Sequence, residues 1–207
     1  PEQRGKDFEK QWNVKLAEQK WIGFSWPKEH GGGGGSLIEQ VILKEEMSQA
    51  LAPDLGSDLM GLVWVGPALI RYGTEAQKKE FMPDLLNCQS SWCTGYSEPD
   101  VGSDLGSLNL RAVRDGDDYV INGSKIWTTK AHVAKNIFLT VRTNPEVESR
   151  YRGISVLLMP MNTPGIQVRP IVNIVGDHSF NQVFFTDVRV PVSTRLGAEG
   201  EGWKVVM

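Results

Sequence analysis

Cysteine is almost missing: Cys88 and Cys93 are the two in 207 residues. So sparse a usage excludes a disulfide scaffold. The pair makes no metal spacing and suits a reducing compartment, where both sulfurs are packed thiols. Histidine is nearly as scarce, and His132 and His178 have no carboxylate or cysteine at ligand spacing, so both read as loop or core residues. No excess of positive charge exists. Lys and Arg number 22 against 25 Asp and Glu, a formal net charge of -3, which gives no pull toward nucleic acid or anionic lipid. Apolar runs long enough to cross a bilayer are absent. No signal-like segment precedes the first helix, and no internal repeat is seen. The remainder is 40% hydrophobic and 23% charged, ordinary for a globular protein with room for one large or two small domains.

The first part of the chain reads as helix. Residues 7–20 place Phe8, Trp12 and Leu16 four apart with charges between them, an amphipathic pattern. Trp21, Ile22, Phe24 and Trp26 continue as a buried link that Pro27 ends. The glycine run Gly31 to Gly35 has the composition of a flexible linker. Ser36 then offers an N-cap and Glu39 the partner of a capping box, opening a helix to about Ala50. A third helix at about 56–72 is apolar all round (Leu59, Leu62, Val63, Val65, Leu69, Ile70) and is expected to be buried. A fourth follows Gly73 and runs to Phe81, where Pro83 is expected to break it.

From Trp92 the period changes to two. Strands are expected at Trp92–Tyr96, Leu108–Arg114, Ile137–Arg142, Ile154–Met159, Ile166–Arg169 and Val183–Val190. Tyr119–Ile121 and Lys125–Trp127 flank Asn122-Gly123, the strongest short signal of a tight hairpin. The fold class is therefore α+β. A helical domain at 1–90 precedes an antiparallel β-barrel domain at 91–195, and residues 196–207 look like the start of another helical element.

The central stretch is Trp92 to Asp104. It opens as a strand with Trp92, Thr94 and Tyr96 on one face and must stop at Ser97-Glu98-Pro99, because Pro99 lacks an amide hydrogen and holds its predecessor extended. Asp100, Gly102, Ser103 and Asp104 follow as a loop rich in amides and hydroxyls, a surface suited to a flat heterocycle and an adjacent anionic group. Lys125-Ile126-Trp127-Thr128-Thr129 adds an aromatic plate and two hydroxyls. The runs "GYSEPDVGSDL", "VINGSKIWTT" and "FNQVFFTDVRVP", in this order and with strand patterns between them, resemble the core motifs of the acyl-CoA dehydrogenases. The resemblance covers about Trp12 to Met207. It also implies that the Gly31–Gly35 run is a natural turn, and that the helical bundle following the barrel in the family is absent from this chain.

The resemblance implies FAD as cofactor. A flavin needs donors at its N1–C2=O edge, where negative charge gathers on reduction, and a group near N5, where hydride arrives. The amides of Tyr96 and Ser97 and the Ser97 hydroxyl suit the first need, the Thr129 hydroxyl the second, and Trp127 covers a ring face. Thr94 and Thr128 belong to the same implied cofactor set. Gly102 and Ser103 match the loop at the FAD pyrophosphate, and Ser103 also the mouth of the acyl-CoA tunnel. Lys130 departs from the pattern, which usually has serine or asparagine there. Glu98 and Asp104 are not read as an acid–base pair. Arg150 and Arg152 are read as a solvated face rather than as contacts to coenzyme A phosphates. The implied reaction is α,β-dehydrogenation of an acyl-CoA, with electrons passed to an electron-transfer flavoprotein, by a homodimer or homotetramer that is cytoplasmic or in a mitochondrial matrix. No residue matches the family's glutamate base, so catalysis by this chain alone is not expected. A flavin oxidase or monooxygenase on the same scaffold, or a non-catalytic subunit of a heteromer, are the alternatives.

Overall fold

The structure, a computed structural model, describes residues 2–53 and 59–207, with side chains from Asp7 onward. It separates into two compact units. One holds the chain up to Arg71 together with Glu75–Ser91, the other Tyr72–Thr74 with Trp92–Met207.

The first unit is helical. α1 spans Glu2–Glu18 and turns Leu16 inward, while Phe8 stays exposed. The glycine run is no flexible linker. Gly34 and Gly35 donate to the Trp26 and Phe24 carbonyls at 2.9 and 2.8 Å, and a Cβ on Gly32 would stand 2.3 Å from the Trp26 oxygen. The run is glycine because backbone packs on backbone there. α2, Leu37–Gln49, opens on the expected capping box, with Ser36 and Glu39 each closing on the other's amide.

Two helical expectations need correction. Of the third helix, residues 56–58 lie outside the described residues. Residues 59–60 are helical and lead into a π-helical turn, Gly61–Val65, which runs into α3, Gly66–Tyr72. It is not buried all round: Leu62, Val65 and Leu69 are covered, but Leu59, Val63 and Trp64 are each about half exposed. Pro83 does not end α4, which runs Glu75–Leu86. Pro83 costs the helix one amide donor, and the helix re-engages at once, with Asn87 donating to the Pro83 carbonyl at 3.0 Å. Among the described residues, no helix is long and apolar enough to cross a membrane.

The second unit is a sheet of eight strands: β1 Trp92–Gly95, β2 Arg111–Asp115, β3 Asp118–Lys125, β4 Asn136–Arg142, β5 Ile154–Pro160, β6 Ile166–Val172, β7 His178–Pro191 and β8 Arg195–Leu196. The order is β6-β7-β3-β2-β4-β5-β8. The α+β class holds, and the sheet is mostly antiparallel, but it is open, with β6 and β8 at its edges, rather than a closed barrel. Two pairings are parallel: one side of β4 takes β1 along Asn136–Leu139 and then β2 at Arg142. β4 and β5 are buried along almost their whole length, as expected for continuous apolar runs. α5, Gly202–Val206, follows β8.

Asn122-Gly123 is not a hairpin turn. β3 passes straight through it, and the turn lies earlier, between β2 and β3, where Gly116 has φ 63°. Ile121 faces Val188 while Gly123 faces Phe185, so Thr186 and Asp187 together oppose Asn122 in a β-bulge. The Asn122 side chain spans it, accepting from the Asp187 amide at 2.9 Å and donating to its carboxylate at 3.1 Å. The strand expected at Leu108–Arg114 begins only at Arg111. The amides of Asn109 and Leu110 go instead to the Glu98 carboxylate, at 2.7 and 2.8 Å.

Candidate functional site

β1 ends at Gly95, and the chain leaves the sheet through Tyr96 and Ser97. The amide of Ile126, just past the end of β3, donates to the Ser97 carbonyl at 2.9 Å. That bond sets the two stretches singled out in the sequence side by side.

Beyond Ile126 the backbone bends sharply, with Trp127 at φ 58° and Lys130 at φ 56°. Such left-handed geometry in bulky residues persists only when neighbours enforce it. Asn181, fully buried in β7, is the enforcer. Its carbonyl accepts from the Thr128 amide at 2.9 Å, and its side-chain amide donates to the Thr128 carbonyl at 3.0 Å. Lys130 donates its amide to the Ser179 carbonyl at 2.8 Å. Two histidines brace Asn181: its side-chain oxygen meets His178 Nε2 at 2.7 Å and its nitrogen meets His132 Nδ1 at 3.2 Å. The amide's polarity makes His178 Nε2 a donor and His132 Nδ1 an acceptor. The two rings stack at 3.9 Å, and partial desolvation, then the facing His178, hold His132 below the usual imidazole value. Both histidines are thus loop supports, and among the described residues no group of three metal-ligating side chains occurs.

The clamp presents Trp127 outward. Trp127 is 56% exposed, and its ring meets Phe180 edge-on at 6.2 Å. Thr129 is half-buried, whereas the Thr128 side chain is buried and its hydroxyl lacks a hydrogen-bond partner. Thr94 is half-buried within β1. Tyr96 packs edge-on against Phe138 at 6.0 Å, and burial pushes its phenol up to about 12. Gly102 and Ser103 are exposed, and the space a Gly102 Cβ would take is open. No hydrogen bond or ring contact joins them to Trp127–Thr129 among the described residues. Asp104 next to them pairs with Arg150 at 2.8 Å.

Behind Tyr96 and Ser97 lies a polar cluster that composition gave no hint of. Lys125 is wholly buried. Its ammonium donates to the Tyr96 carbonyl and the Glu98 carboxylate, both at 2.9 Å, and to the Thr140 hydroxyl at 3.2 Å. Thr140 donates in turn to the Gly95 carbonyl at 3.0 Å. Burial lowers the Lys125 ammonium to about 8 against the opposing pull of Glu98. Next to this cluster Arg142 spends its guanidinium on the carbonyls of Gly106, Leu108, Arg150 and Arg152. A signal for Lys125 existed: it shares strand parity with Tyr119 and Ile121, both buried. Asn181 likewise shares parity with the buried Val183 and Phe185, but its partners at Thr128, His132 and His178 appear only once the strands are assembled.

Chemically the front of the site offers neutral donors and an aromatic plate. The Ser97 and Thr129 hydroxyls have no protein partner among the described residues, and Trp127 gives an open ring face. Unspent donors beside an exposed indole fit an isoalloxazine, whose edge carries carbonyl and ring-nitrogen acceptors, and the open front of Gly102 fits close approach of a phosphate.

Comparison with known proteins gives the family. Residues 2–89 match the family described as acyl-CoA dehydrogenase, N-terminal domain, and residues 93–188 its middle domain. Acyl-CoA dehydrogenase IpdE1 of Mycobacterium tuberculosis is 44% identical over 200 residues, covering 95% of this chain and 50% of its own length. The chain thus spans about half the length of the curated relatives it matches. Among solved structures, the Tcur3481-Tcur3483 steroid ACAD superposes with TM-score 0.85 at 40% identity, over 96% of this chain and 50% of that one. The ChsE4-ChsE5 complex from Mycobacterium tuberculosis gives TM-score 0.86 at 38% identity, over 100% of this chain and 53% of that one.

Proposed function

Because this chain belongs to the acyl-CoA dehydrogenase family, we propose that it is the flavin-holding part of a protein that converts an acyl-CoA thioester to its trans-2-enoyl-CoA. FAD is the cofactor, and its bound flavin supplies the hydride acceptor. The residues of this chain bind and orient it. The Tyr96 and Ser97 amides and the Ser97 hydroxyl face the N1–C2=O edge, Thr129 lies toward N5, and Trp127 covers a ring face. Thr94 and the Thr128 backbone complete that wall. Gly102 and Ser103 leave room for the pyrophosphate, and Ser103 stands at the acyl-CoA entrance.

The observation that carries this reading is the bond from Ile126 to Ser97, which unites the Ser97 and Thr129 hydroxyls, neither of which has a protein partner among the described residues. The α-proton needs a carboxylate within hydrogen-bond reach. Glu98, next in sequence to Ser97, is committed to Lys125 and two amides on the buried side. Glu98 is therefore not the base, and the proposed base is a glutamate beyond Met207. An electron-transfer flavoprotein is the proposed electron acceptor, in a cytoplasmic setting. The test is direct: the purified full-length protein should be yellow, with about one FAD per chain. A protein that stays colourless after FAD is added overturns the reading.

A heteromeric assembly is favoured over a homo-oligomer, because two of the matched structures are named as complexes of two different chains. One of these is described as a steroid ACAD, so a coenzyme A thioester on a steroid side chain is the finer substrate proposal. Dye-reduction assays with steroid and straight-chain acyl-CoA esters, with and without a co-expressed partner, separate these possibilities.

A further inference from the structure

The two amides proposed to face the flavin are each backed, through their own peptide groups, by one buried cluster. The Ser97 amide shares its peptide with the Tyr96 carbonyl, which accepts from Lys125 at 2.9 Å. The Tyr96 amide shares its peptide with the Gly95 carbonyl, which accepts from Thr140 at 3.0 Å. Thr140 can donate forward because it accepts from Lys125 at 3.2 Å. Hydrogen bonds in a chain polarise one another, and more so in a low-dielectric interior. An ammonium pulling on a peptide oxygen makes the amide hydrogen on the far side of that peptide a better donor. Both relays start from the same buried charge, and both end at the edge where a flavin gathers negative charge on reduction.

We infer that Lys125 is a positioning residue for the flavin, polarising the Tyr96 and Ser97 amides from behind so that reduced FAD is held more tightly than oxidised FAD. The inference rests on the flavin reading above. Glu98 opposes it: its carboxylate, 2.9 Å from Lys125, offsets part of the charge that the peptides feel. The two members of the pair should therefore move the flavin in opposite directions, which a purely structural pair would not do. Removing either partner of a structural pair loosens the loop and shifts the potential one way.

The experiment is spectroelectrochemical titration of the full-length FAD-loaded protein and its variants. Lys125→Met should weaken binding of reduced relative to oxidised FAD by about tenfold, which for a two-electron couple lowers the potential by about 30 mV. Glu98→Gln should raise it. Thr140→Val keeps the shape of a buried residue and cuts only the relay to Gly95, so it should lower the potential by less than Lys125→Met does. If Lys125→Met does not fold, the opposite signs of Glu98→Gln and Thr140→Val decide the matter. Bound FAD with unshifted potentials, or shifts of one sign throughout, overturns the role of Lys125 and leaves the flavin reading standing. Wild-type protein that binds no FAD removes both.

Discussion

The Tyr96–Ser97 segment has two sides that differ in how their polar groups are used. On the buried side, Lys125, Glu98, Thr140 and Arg142 are enclosed and extensively hydrogen-bonded. On the other, the Ser97 and Thr129 hydroxyls have no partner among the described residues and Trp127 is exposed. The buried side follows the logic of a core, where an unpaired polar group costs about 1–3 kcal/mol and must find partners. The open side follows that of a binding surface, where donors are kept for a ligand. Saturation behind is what lets the front hold its shape with donors unfilled. Substitutions behind should therefore act chiefly on stability and reach the ligand only through the Tyr96 and Ser97 peptides, whereas those in front act on the ligand directly.

The largest effect is expected from Lys125→Ala. It leaves the Glu98 carboxylate buried without its counter-charge and opens a void where the lysine stem lay. Removing one partner of a buried ion pair costs about 3–5 kcal/mol. Urea unfolding followed by circular dichroism should show a midpoint well below that of the wild type. A loss under about 1 kcal/mol would mean that the cluster is hydrated and that the contrast between the two sides is false.

A smaller effect comes from pH. Lys125 sits near 8 when folded, below its ordinary 10.5, chiefly because of burial. The folded state then gives up this proton before the unfolded state does. Between about 8 and 10.5 the unfolded chain binds more protons, so this group's contribution makes stability rise with pH there. Below 8 the cost of burying the charge is present in full. The slope for one proton is at most about 1.4 kcal/mol per pH unit. Urea midpoints at pH 8.0 and 9.5 should bring the wild type up relative to Lys125→Met. A constant difference between the two proteins would show that Lys125 keeps its proton throughout.

Much of this was legible in the sequence, and the gaps have physical causes. The capping box at Ser36, the strand after Trp92 and the paired motifs were readable because each rests on local chemistry or on a fixed period. Asn122-Gly123 misled because the dipeptide signals a left-handed pair only when the chain reverses there. Here the partner strand takes up the irregularity, and the phase slip of the buried residues Val183, Phe185, Val188 and Val190 recorded it in β7 instead. Pro83 misled because a helix can survive the loss of one donor. The parallel pairing of β1 with β4 joins residues more than forty apart, beyond any window of periodicity. In the site, hydroxyls and indole could be named from motif. The Asn181 clamp and the Thr140 relay could not, since they exist only once distant strands meet.

The smallest effect on stability, and the sharpest test of the contrast, belongs to Thr129→Val. The substitution keeps the shape of the side chain and deletes a hydroxyl that has no protein partner among the described residues. Surface changes away from special features stay within about 0.5 kcal/mol, so the urea midpoint should hardly move. The ligand should notice. If the hydroxyl donates toward flavin N5, its loss removes one neutral hydrogen bond, roughly 0.5–1.5 kcal/mol. Reduction of the bound flavin by an acyl-CoA substrate should then slow by about tenfold at most. Stopped-flow bleaching of the flavin band reads this directly in the full-length protein. An unchanged bleaching rate with unchanged stability would take Thr129 out of the site and leave Ser97 and Trp127 as its front. A marked loss of stability would place the hydroxyl on the saturated side, and the boundary between the two sides would have to be drawn in front of it.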